Sequence, residues 1–289
     1  LSTKKDLDNK KLNIIISKSG NTLETITNLS SEKVKKNCLF ISENKPSYLH
    51  NLALKLRCEI IEHNNFIGGR YSVLSETGML PAFFMGLDPN KFKSLDNLIT
   101  SKKFINYITY NVSSILSFHQ NQKYNSIILN YDESSSSLFN WYQQLVAESL
   151  GKSSKGILPI ISTLPKDNHS LMQLYLDGFK NNFFTFFYVN EKKSNKINNN
   201  KILHTQSHLK NKNISSIIYA QMKATEKVFN RKNIPFRSFE IKKRNEKTLG
   251  ELFCFFILET ILIGKCLNIN PYDQPAVELI KKETKKILI

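Results

Sequence analysis

Short runs of branched apolar residues recur along this chain, each followed by a stretch with helical spacing, and that alternation fixes the fold class. LNIII (12–16), CLFI (38–41) and EIIEH (59–63) read as three strands. The segments from Thr22 to Lys36 and from Pro46 to Leu56 between them read as helices. Apolar runs of this kind, separated by helices, predict parallel sheets covered by helices, an α/β protein. A long helical stretch from Asp96 to Gln122 then bridges to a second round of the same design. That round reads as strand SIILNY (126–131), helix LFNWYQQLVAESLG (138–151), strand GILPII (156–161), helix HSLMQLYLDG (169–178) and strand FFTFFYV (183–189). A Lys/Asn-rich segment (191–201) reads as a solvated loop. A helix near 214–230, a strand FRSFEI (236–241), an apolar helix over 246–267 and a terminal helix after Pro271 complete the chain. The expected organisation is two α/β lobes, 1–95 and 96–289, the second completed by the C-terminal helices.

The 289 residues suffice for two ordinary domains with real cores. The hydrophobic share of 40% and the charged share of 22% are those of a folded, soluble protein. The formal charge of +17 would suit a nucleic acid, an anionic surface or a phosphate-bearing substrate. The lysines are scattered, as in KKSNKINNNK (192–201), and no arginine–aromatic stripe accompanies them. Compositional bias is the preferred account, and neither nucleic acid nor membrane is expected as a partner. The apolar stretch LFCFFILETILIG (252–264) is too short for a span and carries Glu259, so it reads as a buried helix. Cys38, Cys58, Cys254 and Cys266 show no CxxC spacing. Reduced thiols in a cytoplasmic protein are expected, and with the polar stretch LSTKKDLDNKK at its start no signal peptide is expected.

The first strand empties into Ser17, Lys18, Ser19, Gly20, Asn21 and Thr22. A helix N-terminus leaves backbone N–H groups unpaired and carries partial positive charge, so it attracts anions. With three hydroxyls, a close-approaching Gly20 and the Lys18 cation, this cluster suits a phosphate monoester. The Walker pattern GxxxxGKS/T is absent. From this stretch alone a second reading stands beside the first: Asn21 or Thr22 caps the helix and Glu24 closes a capping box.

Three further stretches carry chemistry-bearing residues. NNFIGGRYSVLSETG (64–78) sets two glycines beside an arginine at a strand end. QLVAESLGK (144–152) places Gln144 and Glu148 on one helix face. PYDQPAVELIK (271–281) joins Gln274, Glu278 and Lys281 in a terminal helix.

Together these residues resemble the glucose-6-phosphate isomerase family of the sugar-isomerase (SIS) fold. Ser17, Lys18, Ser19, Thr22, Glu24 and Thr25 match its SK(S/T)xxTxET loop, and Gly68 to Ser72 match GGR(F/Y)S. Glu148, Ser149, Gly151 and Lys152 match ESxGK, while Asn168, His169 and Ser170 stand at QHS. Asp273, Gln274, Val277, Glu278 and Lys281 match DQxGVExxK. The matches occur in family order from about residue 12 to residue 281. Ala276 replaces a glycine, Asn168 a glutamine, and Glu76 is bulky for its signature position. The family has an earlier strand with a Gly-Gly-Ser turn that contacts the sugar phosphate. The chain, opening on Leu1, resembles the family without its N-terminal part, so a fragment is expected. A first sheet with one edge unpaired leads to the expectation that the chain alone is poorly active or prone to aggregate.

The resemblance implies interconversion of an aldose and a ketose 6-phosphate by ring opening and proton transfer through a cis-enediol. It gives Glu148 the role of the base that moves a proton between C2 and C1. Without the other motifs, Glu148 and Lys152 would read as a surface i,i+4 pair. Arg70 would stabilise the enediol charge, with Gly68 and Gly69 letting backbone approach a ligand. His169 would open the ring, aided by Lys281, which otherwise reads as part of a solvated basic face. Gln144 and Gln274 would contact substrate. The family places its site between the two lobes and brings the histidine from a neighbouring subunit, so a homodimer with His169 donated across the interface is implied. No metal or other cofactor is expected, since the histidines form no HxxxH or HExxH. Two alternatives stand: an isomerase that also accepts mannose 6-phosphate, and a non-catalytic sugar-phosphate-binding module, against which Glu148, Arg70, His169 and Lys281 speak.

Overall fold

A computed structural model describes residues 12–30, 37–190 and 194–289. The chain divides into two compact units, the first ending at Ser94 and the second beginning at Leu95.

In the first unit, β1 (Asn13–Ile16), β2 (Cys38–Ser42) and β3 (Glu59–Glu62) form a parallel sheet in the order β1-β2-β3. All five residues of β2 are buried. A central parallel strand covered on both faces must be apolar throughout, which is why CLFI reads as an unbroken run. Helices α1 (Leu23–Ser30) and α2 (Tyr48–Leu56) follow β1 and β2. Ile15, Leu29, Phe40, Leu49 and Ala53 make one buried cluster. The expected Thr22–Lys36 helix is described only to Ser30, and residues 31–36 lie outside the described residues.

Beyond β3 come a 3-10 helix (Gly69–Leu74), then α3 (Glu76–Phe84) and α4 (Pro89–Lys93). No helix over 76–93 was expected from the sequence. Arg70, expected at a strand end, instead sits in the first turn of the 3-10 helix, after a loop that begins beyond Glu62. Gly78 lets α3 fold back on that turn, because a Cβ there would lie 2.0 Å from the Val73 carbonyl oxygen.

The second unit opens with α5 (Asp96–Ile99) and α6 (Lys102–Gln120). The expected single bridge from Asp96 to Gln122 therefore breaks, and Ser101 restarts it by accepting from the Phe104 N–H at 3.5 Å. Next come β4 (Asn125–Asn130), α7 (Ser136–Leu150), β5 (Leu158–Thr163), α8 (Met172–Asp177), β6 (Asn182–Val189), α9 (Ile214–Arg231), β7 (Phe236–Ile241), α10 (Glu246–Cys266) and α11 (Pro275–Ile287). The four strands are parallel in the order β5-β4-β6-β7. All eight residues of β6 are buried. Alternate β6 side chains serve opposite faces: Phe186 meets Phe229 of α9 at 5.3 Å between ring centres, and Phe187 meets Phe139 of α7 at 4.8 Å.

Two expected boundaries move. β5 begins at Leu158 and not at Gly156, whose φ of +129° makes a turn. The expected 169–178 helix begins only at Met172, and His169 ends a 3-10 turn over Lys166–Asn168. Of the solvated loop expected over 191–201, residues 191–193 lie outside the described residues.

Candidate functional site

At the C-terminal end of β1 the chain turns sharply. Gly20 adopts φ +65°, and a Cβ there would meet the Ser47 hydroxyl at 2.1 Å. The turn is thus pressed against the start of α2, where the Leu49 N–H donates to the Gly20 carbonyl at 3.0 Å. Asn21 Oδ1 accepts from the Tyr48 N–H at 2.9 Å, so its side chain satisfies the first N–H of α2, whose N-cap is Ser47. The capping of α1 by Asn21 weighed from the sequence is therefore not what this residue does. Ser17, buried, sits with its hydroxyl 2.7 Å from that of Thr22, and Ser19 accepts from the Asn21 N–H at 3.2 Å.

Lys18 does not hang free beside this turn. Its ammonium donates to the Asn65 carbonyl at 2.9 Å and lies 3.4 Å from Glu43, which also pairs with Lys45. Burial pushes the Glu43 carboxyl up, but the Lys45 and Lys18 hydrogen bonds and charges outweigh it and hold the group below its ordinary value. The Asn65 loop leads to Arg70, which is 4% exposed, its guanidinium 5.2 Å from the Tyr71 ring centre. The space where a Gly69 Cβ would stand is open. The structure thus sets the Ser17–Thr22 turn and the segment leading to Arg70 at one end of the first sheet, beyond the C-terminal strand ends where α/β proteins bind ligands.

In the second unit, a cavity of about 790 Å³ is lined by Glu148, Lys152, Asp273 and Gln274 among others. Two motifs more than a hundred residues apart meet there. The Gln144 amide donates to Glu148 Oε1 at 3.0 Å. Lys152 does not pair with Glu148 in the surface i,i+4 arrangement. Instead it donates to Asp273 Oδ1 at 2.7 Å and to the Asn270 carbonyl, pinning the chain ahead of α11 to the end of α7. The Lys152 hydrogen bond outweighs a small burial effect and holds the Asp273 carboxyl below its ordinary value. Neither Lys152 nor Asp273 was singled out as a site residue from the sequence. Their signal was charge complementarity between two distant motifs, which only folding brings together.

Lys281 lies apart from these ties, exposed on α11 and paired with Glu278 at 2.6 Å. Within this unit that is the solvated-face arrangement. His169 is exposed as well. It follows the far end of β5, where Asp167 accepts from the Thr163 N–H at 2.7 Å and from Ser170 at 3.1 Å. Glu148 stands near the end of α7, where the chain turns back into the start of β5. Glu148 and His169 therefore flank opposite ends of β5, a strand about 20 Å long. The unit brings Glu148 together with Gln144 and Gln274 but not with His169.

A further polar cluster unread from the sequence sits at the C-terminal end of β4. There Arg244 Nη2 donates to both Asp132 oxygens at 2.8 and 2.9 Å. Among the described residues no group of three or more His, Cys, Asp or Glu is placed to hold a metal ion.

These features define an α/β protein of parallel-sheet units with polar turns and a carboxylate-bearing cavity at their strand and helix ends. Two solved structures share its fold. A hypothetical protein of Thermus thermophilus aligns with a TM-score of 0.86 and 24% identity, over 98% of this chain and 72% of that one. A glucose-6-phosphate isomerase of Chlamydia trachomatis aligns with a TM-score of 0.74 and 18% identity, over 95% and 58%. No protein-family profile matches the chain. Among curated relatives, the glucose-6-phosphate isomerase of Methanocaldococcus jannaschii is 33% identical over 98% of this chain and 73% of its own length. That of Campylobacter jejuni is 31% identical over 95% and 71%. A probable glucose-6-phosphate isomerase of Methanococcus maripaludis is 33% identical, and the chain spans 64% of its length. The chain belongs to the glucose-6-phosphate isomerase family, a family of aldose–ketose isomerases.

Proposed function

We propose that this chain interconverts glucose 6-phosphate and fructose 6-phosphate through a cis-enediol, with Glu148 as the proton-transferring base. The observation that carries the reading is the cavity in which Glu148, oriented by the Gln144 amide, meets Asp273 and Gln274 of the C-terminal motif. A carboxylate oriented by an amide and lining a cavity can take a proton from C2 and return it to C1. The Ser17–Thr22 turn holds the phosphate with its hydroxyls, its backbone N–H groups and the Lys18 charge. Arg70 stabilises the negative charge that develops on the enediol oxygens. His169 moves the proton between O1 and O5 in ring opening, and Lys281 assists near the ring oxygen.

Because Glu148 and His169 flank opposite ends of β5, the histidine that serves a given Glu148 comes from a second copy. We therefore assign a homodimer in which His169 crosses the interface. Cys38, Cys58, Cys254 and Cys266 are free thiols, which suits a reducing cytoplasm.

The test is a coupled assay on fructose 6-phosphate, supported by nuclear magnetic resonance of deuterium entering C1 from heavy water, which registers slow turnover. Exchange and turnover in the wild type that Glu148→Gln abolishes are expected. A wild type with neither overturns the proposal, and turnover that survives Glu148→Gln overturns the assignment of the base.

A further inference from the structure

The segment that carries Arg70 leaves β3 at His63 and returns to α3 at Glu76, and its two ends are joined side chain to side chain. The His63 N–H donates to the Ser42 carbonyl at 2.8 Å, which fixes the residue to the end of β2. Its side chain is 0% exposed. Nδ1 meets Glu76 Oε1, thirteen residues on, and Nε2 donates to the Ile67 carbonyl at 3.0 Å. A carbonyl and a carboxylate only accept, so each ring nitrogen faces an acceptor. Turning the ring would strand a polar group away from water.

Arg70 lies midway round the loop so closed. The flanking backbone is braced from within: Ser72 Oγ donates to the Gly69 carbonyl and Thr77 Oγ1 to the Ser72 carbonyl, each at 2.7 Å. Burial pushes the Glu76 carboxyl up, yet the His63 hydrogen bond and its own backbone contact hold it below the ordinary value, so the carboxylate is the accepting form. Glu43, Lys45 and Glu62 line the same cleft as His63, and Lys18 grips the loop at Asn65. Glu76 is also where the sequence departs from the family signature, so the contact belongs to this chain's own residues.

We infer that His63 and Glu76 are positioning residues for Arg70: their contact closes the 63–76 segment and sets where the guanidinium stands. Closing a loop at its base removes freedom from everything it carries, and a small displacement of a charge-stabilising group is costly to a transition state. The inference rests on the reading of Arg70 given above.

The experiment measures kcat and KM on fructose 6-phosphate, with thermal melts, for Glu76→Ala and Glu76→Gln in the wild-type and Arg70→Lys backgrounds. Glu76→Ala is expected to lower kcat by about 10- to 100-fold while KM moves little. Glu76→Gln, whose amide can still donate to a neutral ring, is expected to keep most of the rate. In the Arg70→Lys background, Glu76→Ala is expected to cost little more, because the group it positions is already gone. Wild-type kcat in Glu76→Ala, or an equal loss in both backgrounds, would overturn the inference. Should Glu76→Ala melt below the assay temperature, Glu76→Asp takes its place in the same cycle under the same criterion. A wild type without turnover defeats the parent reading and this one together, whereas an active wild type with an indifferent Glu76→Ala defeats only this one.

Discussion

The Lys18 ammonium lies 2.9 Å from the carbonyl oxygen of Asn65. The residue that leaves β1 thereby holds the loop that leaves β3, and the charge proposed to bind phosphate also braces the segment that leads to Arg70. Lys18→Met removes both. Losing a charge-assisted hydrogen bond to a phosphate raises KM for fructose 6-phosphate by about 10-fold or more, with a smaller fall in kcat. Steady-state kinetics check this, and an unchanged KM would leave Lys18 only the bracing role.

Glu43 answers to pH. Its carboxyl is held below the ordinary value of 4.5 because Lys45 and Lys18 outweigh its burial. A carboxylate with a depressed folded pKa binds fewer protons than the unfolded chain in that window. Its contribution is complete above the unfolded value and is lost as pH falls through the folded one. Glu43→Gln is thus expected to be less stable than wild type at about pH 7 and to converge with it as pH falls through the folded value. Denaturant midpoints followed across that range test the convergence.

In the second unit the Arg237 guanidinium donates to Glu259 Oε2 at 3.0 Å, Thr185 at 3.0 Å and Asn111 at 3.2 Å. One cation so ties β7 to α10, β6 and α6. Glu259 is 1% exposed. Glu259→Ala strands a buried cation and is expected to cost about 3–5 kcal/mol, whereas Arg237→Met combined with Glu259→Leu recovers most of it. Urea denaturation of the single and double variants provides the measurement.

Mixing provides the sharpest test of the proposed homodimer. Glu148→Gln and His169→Ala chains are each expected to be inactive as homodimers. In a mixed dimer, one site unites an intact Glu148 with an intact His169. Equilibrated equimolar chains should then recover about a quarter of wild-type activity by random pairing. Failure to recover any, with dimers shown by sedimentation, would place both residues in one chain's site.

The sheets were the most legible part of the molecule. CLFI and FFTFFYV are apolar at every position or nearly so because β2 and β6 are covered on both faces. The 76–93 helices escaped notice because Gly78 and Pro81 interrupt the helical pattern, while contact with the preceding 3-10 turn holds α3 in place. Arg70 was legible as a chemical group but not as a buried one, since burial depends on how the segment beyond β3 folds back and not on local spacing. Lys152 was read as a neighbour of Glu148 by helical spacing, yet its partner Asp273 is fixed by the path of α10.

By itself, the sequence determined the alternation of strand and helix, the order of the polar motifs and the kinds of group each could supply. Those properties reside in local hydrophobic period and in side-chain chemistry. Folding in three dimensions settled which groups lie together, which carboxyls are held below their ordinary value, and that Glu148 and His169 stand at opposite ends of one strand. Such relations depend on distances through space, which parallel strands and returning helices set without regard to separation along the chain.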